Sequence, residues 1–164
     1  MDELLARLRH LMHGGRMPEI DKLLARLRRL MRGLNYATTL GLLPLPAGTS
    51  LKSAEAAIVR VYPKVELTGP ILADAATVWD EVGYAFDYRG DGGHGLKVTA
   101  GQEVELRELQ DRYRDYVRGF IGPESAIYTG GCRGLPGYPV FWDFCFLLLN
   151  ADREGLLLFG SASD

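Results

Sequence analysis

The chain is poor in the residues that usually announce chemistry. Two cysteines, Cys132 and Cys145, and three histidines, His10, His13 and His94, stand among 164 residues. Two cysteines are too few for a disulfide framework and fit a reducing compartment, so a cytoplasmic protein is expected. The scarcity of His and Cys excludes the common structural metal sites, and neither a metal nor a cofactor is expected. Long apolar runs are absent too. The longest, Phe144 to Leu149, falls far short of the roughly 20 residues that span a bilayer. Charged residues break up the first leucines, so no signal peptide is expected. The glycine-rich stretch from Arg89 to Gly95 lacks the Gly-Lys-Ser/Thr end of a phosphate-binding loop and has no Rossmann spacing. Its Arg89-Gly90-Asp91 triplet is read as chance.

Charge of one sign is short in each part of the chain. Residues 1–35 hold eight Lys/Arg against four Asp/Glu, while residues 36–164 hold eleven against seventeen. A basic arm therefore precedes an acidic body. Beyond residue 35, the nearest approach to a basic cluster is Arg112, Arg114 and Arg118, and acids are interleaved with them. That pattern argues against nucleic acid as a partner.

What is present is a repeat. Residues 2–14, DELLARLRHLMHG, recur 19 residues later as DKLLARLRRLMRG, with ten of thirteen positions identical. In the first copy Leu4, Leu5, Leu8, Leu11 and Met12 share one helical face, and in the second Leu23, Leu24, Leu27, Leu30 and Met31 do so. Gly14, Gly15 and Pro18 separate the copies. The spacing predicts a basic amphipathic hairpin over 1–35, followed by a single domain over 36–164. Each helix alone is marginal in water, so each stripe must be covered by the other copy, the body or a second chain. Met17 would serve as an alternative start, which makes the first copy dispensable.

The body reads as α+β: a mostly antiparallel sheet packed with two or three helices. Residues 36–50 read as a connecting loop. Helical spacing is expected over 50–62, where a strand pattern competes, and again over 70–82. Tyr84–Tyr88 and Leu96–Val98 read as short strands around the glycine-rich loop. Thr99 and Gln102 stand at capping-box spacing before a helix whose face is Leu106, Leu109, Tyr113, Tyr116, Val117 and Phe120. Glu103–Arg107 and Glu108–Arg112 have i,i+4 spacing on its other side. Residues 125–129, 140–149 and 156–159 read as strands, the last two as a hairpin.

Several residues are candidates for a site. Cys132 sits in Gly130-Gly131-Cys132-Arg133-Gly134, the Gly-x-nucleophile-x-Gly spacing of a nucleophile elbow. Arg133 beside it would lower the thiol pKa. His94 lies upstream in its own glycine-rich loop. A His loop followed by Cys-Arg-Gly resembles the caspase-type cysteine proteases, with Gly130-Gly131 where those have Gln-Ala. The resemblance implies a cysteine hydrolase with Cys132 as nucleophile and His94 as base. His10 and His13 have i,i+3 spacing, but the second copy replaces both with arginine, as a solvated face would. Asp143 interrupts the apolar strand and, by alternation, shares a face with Phe141, Cys145 and Leu147. It is expected to be wet at the strand's partly covered start. Asp143, Asp87, Asp91 and Arg133 form the expected binding set.

These features favour a protein without chemistry of its own. The leading expectation is a non-catalytic interaction module with an acidic binding surface, of the bacterial immunity-protein or antitoxin kind, facing another protein such as a basic toxin. A cysteine hydrolase using Cys132 and His94 is one alternative. A structural protein forming homo-oligomers through residues 1–35 is the other.

Overall fold

Pro18 sits in the first turn of a helix, and the leucine stripe of the second repeat copy sets which face is covered. The computed structural model describes residues 17–90 and 95–164. The first repeat copy, with the His10–His13 pair, lies outside the described residues, as do Asp91 and His94. The second copy forms α1 (Met17–Leu30). Leu23, Leu24, Leu27, Leu30 and Met31 are all buried, against the body of the same chain. The stripe of the second copy is thus covered within the chain. Burial of side chains of this size is worth about 1.5–3 kcal/mol each before ordering entropy is subtracted.

The remaining elements are β1 (Ala37–Leu45), α2 (Leu51–Val59), β2 (Glu66–Ala73), α3 (Ala75–Asp87), α4 (Ala100–Arg118), β3 (Ala126–Arg133), β4 (Trp142–Leu149) and β5 (Gly155–Ser163). The strands form one antiparallel sheet in the order β1-β5-β4-β3-β2. The protein is an α+β fold with four helices in the described residues. Helices α1, α3 and α4 cover one face of the sheet, and α2 covers the other.

Strand alternation divides β4 between the two faces. Trp142, Phe144, Phe146 and Leu148 face the three helices, while Cys145, Leu147 and Leu149 face the side of α2. Its neighbour β5 does the same with Leu156 and Leu158 against Leu157 and Phe159. Two-sided burial explains why these strands read as nearly continuous apolar runs. Close approach is managed by two cross-strand glycine–phenylalanine pairs. Gly41 lies opposite Phe159, and Gly160 opposite Phe144. A Cβ on Gly41 would overlap the Phe159 ring.

Helix ends follow local chemistry. Thr99 and Gln102 close a capping box at α4, and Ser50 and Ser53 close another at α2. Asp74 caps α3 by accepting from the Thr77 N–H at 2.8 Å. Arg26 of α1 holds Glu105 of α4 through Nε to Oε1 at 2.5 Å and Nη2 to Oε2 at 2.7 Å. Of the two expected pairs on α4, Glu103–Arg107 forms at 3.2 Å, and Glu108–Arg112 does not close.

Four sequence expectations are corrected. Residues 37–45 are strand, not loop, because Pro44 is tolerated on a rim. The helix expected over 70–82 begins only at Ala75. Ile71 and Leu72 belong to β2, and Asp74 supplies the cap that delays it. Residues 84–87 complete α3 rather than forming a strand, since Val78, Val82, Ala85 and Phe86 continue one buried face. Residues 96–98 form no strand.

Gly41→Ala is expected to destabilise the protein by about 1–3 kcal/mol, the usual result of overpacking a filled site. A urea titration reads this directly. An unchanged midpoint would show that the Phe159 ring moves aside freely.

Candidate functional site

Strand β4 emerges from under its helical cover at Trp142, and the next residue is an acid. Asp143 is exposed, as expected of the strand's partly covered start. By alternation it leaves the strand toward the side of α2, at an edge that β3 no longer covers, so it lines a hollow there with Cys145 and Phe159 and also reaches the margin of helix α3. Asp80, Glu81 and Tyr84 of α3 line an open cleft together with Trp142 and Asp143. Val78 and Val82 point into the core and so rotate Asp80, Glu81 and Tyr84 outward. Asp80, Tyr84 and Asp87 stand at i, i+4 and i+7, so the expected Asp87 continues the same stripe.

The cleft is negative, with an aromatic wall. Its lining holds three carboxylates and no basic residue. Burial, and then the charge of Asp143, hold the Glu81 carboxyl above its ordinary range. Tyr84 is 59% exposed, and its ring lies 6.1 Å from that of Tyr88. Tyr88 leads on to Tyr36 and Phe141, at 5.6 and 5.7 Å. The Trp142 Nε1–H donates to the Tyr36 hydroxyl at 2.8 Å, anchoring the floor. Burial pushes that phenol up to about 12.

The cysteine loop has a different geometry from an elbow. Gly130, Gly131, Cys132 and Arg133 extend β3 instead of forming a strained turn before a helix. Strand β3 pairs with β4 only from Ala126 to Thr129. Beyond that point Gly131, Cys132 and Arg133 pair with Thr68, Leu67 and Glu66 of β2, so the two strands run on as a ribbon. A disulfide between Cys132 and Cys145 ties this ribbon back to β4 across a Cα separation of 6.5 Å. This corrects two expectations. Cys132 carries no thiolate to attack a substrate, and the two cysteines form a cystine rather than free thiols. Arg133 lies opposite Glu66 at the ribbon's end and does not line the acidic cleft.

The site thus gathers Asp143, has Asp87 further along the same outer stripe of α3 and outside the cleft, and leaves Arg133 elsewhere. Sequence reasoning missed Asp80, Glu81 and Tyr84. Their placement on the outer face of an amphipathic helix was visible, but nothing local brings that helix against a strand about 60 residues on. Among the described residues, no group of three or more His, Cys, Asp or Glu is placed to hold a metal ion.

No family model matches the chain, and no curated protein matches it. The fold is similar to that of citrus MAF1. A crystal structure of that protein superposes with a TM-score of 0.55 at 14% sequence identity, covering 88% of this chain and 98% of that one. At this identity the likeness establishes the architecture alone. No helix of the described residues is long and apolar enough to cross a membrane.

Three measurements check this geometry. A thiol-directed reagent should label neither cysteine of the folded protein until a dithiol reductant is added. Cys145→Ser should lower stability by about 3 kcal/mol, the loop-closure effect for a separation of 13 residues. Glu81→Gln should stabilise the protein slightly at neutral pH, by about 1 °C in melting temperature. The sign follows from the raised carboxyl: the folded state holds its proton more firmly, so the cost of the carboxylate sets in above the ordinary carboxyl pKa, is complete above the raised one, and is absent well below both. The gain should vanish in acid, where the wild-type carboxyl is protonated.

Proposed function

We propose that the chain is a non-catalytic protein-interaction module that captures a basic segment of another protein in the cleft between α3 and β4. The observation that supports this most directly is the lining of that cleft: three carboxylates around the exposed Tyr84 ring. An arriving lysine or arginine would find carboxylates on several sides and an aromatic face to lie against. It would also relieve the repulsion between Glu81 and Asp143, which gives a cation a gain that a neutral group lacks. The acidic excess of residues 36–164 would speed the encounter.

The finer reading is an inhibitor of the bacterial immunity-protein or antitoxin kind, whose acidic face covers a basic toxin. It rests on size, charge and the cleft, as analogy. A cysteine hydrolase finds less support, because the sulfur it needs is held by Cys145. The disulfide also bears on location. Both cysteines are only half-buried, and glutathione keeps such bonds reduced in a cytoplasm, so the cystine form favours an oxidising compartment over the expected cytoplasmic one.

The test uses an arginine-rich peptide as probe. Binding should weaken as salt rises, because exposed charges are screened over about 10 Å at 0.1 M salt. The double variant Asp80→Asn/Asp143→Asn should lose about tenfold in affinity without any loss of thermal stability. Equal binding by wild type and double variant would overturn the reading.

A further inference from the structure

The repeat and the helix it forms can be compared position by position. The five repeated apolar residues of α1, Leu23, Leu24, Leu27, Leu30 and Met31, are all buried. Arg26 grips Glu105 with two hydrogen bonds. Their counterparts in the first copy are Leu4, Leu5, Leu8, Leu11, Met12 and Arg7, identical in every case. The copies differ at three positions only: Glu3 against Lys22, His10 against Arg29, and His13 against Arg32. All three second-copy residues are exposed. Every side chain of the repeated part that α4 and the sheet bury or hydrogen-bond therefore exists twice in the chain; Arg29, whose charge also acts on Glu105, has His10 as its counterpart.

We propose that the groove filled by α1 is a two-occupant site, and that residues 2–14 of the same chain can displace α1 and take its place. A packed groove discriminates through the side chains it buries, and here those are the same. Chain connection sets the balance. From Met31, the last buried residue of the stripe, the chain reaches β1 through five residues, 32–36, whereas from Met12 of the first copy it would do so through 24 residues, 13–36. Lengthening the connection this far disfavours the first copy about tenfold. Ile20, which packs on the core beside α1, adds to the preference. Helix α1 is thus the major occupant and the first copy the minor one. A segment tethered this closely acts at about millimolar effective concentration, so it outcompetes the same segment of another molecule in dilute solution. Exchange preserves the core but changes the outer face, where Lys22, Arg29 and Arg32 give way to Glu3, His10 and His13. One fold then presents two surfaces of different charge, independently of the acidic cleft.

The experiment uses the full chain with three sets of substitutions. Leu5→Asp/Leu8→Asp disables the first copy and should leave the folding equilibrium unchanged. Leu24→Asp/Leu27→Asp disables the second copy. That variant should still unfold cooperatively, with its folding constant reduced about ten- to a hundredfold, and should sediment as the same species as the unsubstituted chain. All four substitutions together should abolish the cooperative transition. If Leu24→Asp/Leu27→Asp alone abolishes it, the proposal fails. Survival of the four-fold variant would also overturn it, since the fold would then need no occupant. A Leu24→Asp/Leu27→Asp variant that stays folded only as a dimer would overturn exchange within the chain.

Discussion

Two-sided burial of β4 and β5 is the constraint on which the rest of the structure depends. Both strands carry large apolar side chains on both faces, so neither face can be left to water. The chain meets that demand unequally. Three helices lie over Trp142, Phe144, Phe146, Leu156 and Leu158, while the nine-residue α2 and the segment after it cover Leu147, Leu149, Leu157 and Phe159. The open cleft arises where this cover runs out, at the first residues of β4. An acid at Asp143 belongs there, because a carboxylate one step deeper would have to be desolvated.

Where periodicity and capping agree, the fold was legible in the sequence. Thr99 and Gln102 marked the start of α4, and the apolar stripe ran through Val117 as expected. The hairpin of β4 and β5 was equally plain from its β-rich runs. What escaped were elements whose cues are mixed. Pro44 and Leu45 looked like loop, since a proline is allowed in a strand only by its place in the sheet, which local sequence does not state. Tyr84 and Phe86 looked like strand because aromatics favour sheets, yet packing of Ala85 and Phe86 beneath α4 kept them helical.

The candidate site was legible only in part, for a related reason. Asp143 was conspicuous because it broke an apolar run. Asp80 and Glu81 were unremarkable acids on a helix until the fold placed them beside it. The cysteines show the opposite error. Cys132, set among glycines, suggested a reactive loop, and Cys145 lay thirteen residues on in an apolar strand, but their meeting depends on β3 leaving β4 at Thr129. A bond between strands that have stopped sharing a ladder is set by sheet geometry rather than by sequence spacing.

Strand β2 ends the sheet with an irregularity whose effect reaches beyond one molecule. Its pairing with β3 slips between Thr68 and Ile71, at Gly69 and Pro70. Ile71 and Leu72, 64% and 72% exposed, follow directly. A straight rim bearing two such side chains would invite a neighbouring backbone to add a further strand. The kink bends that rim, and the proline removes one amide hydrogen from it, so concentrated molecules meet there without a continuous template for fibre growth.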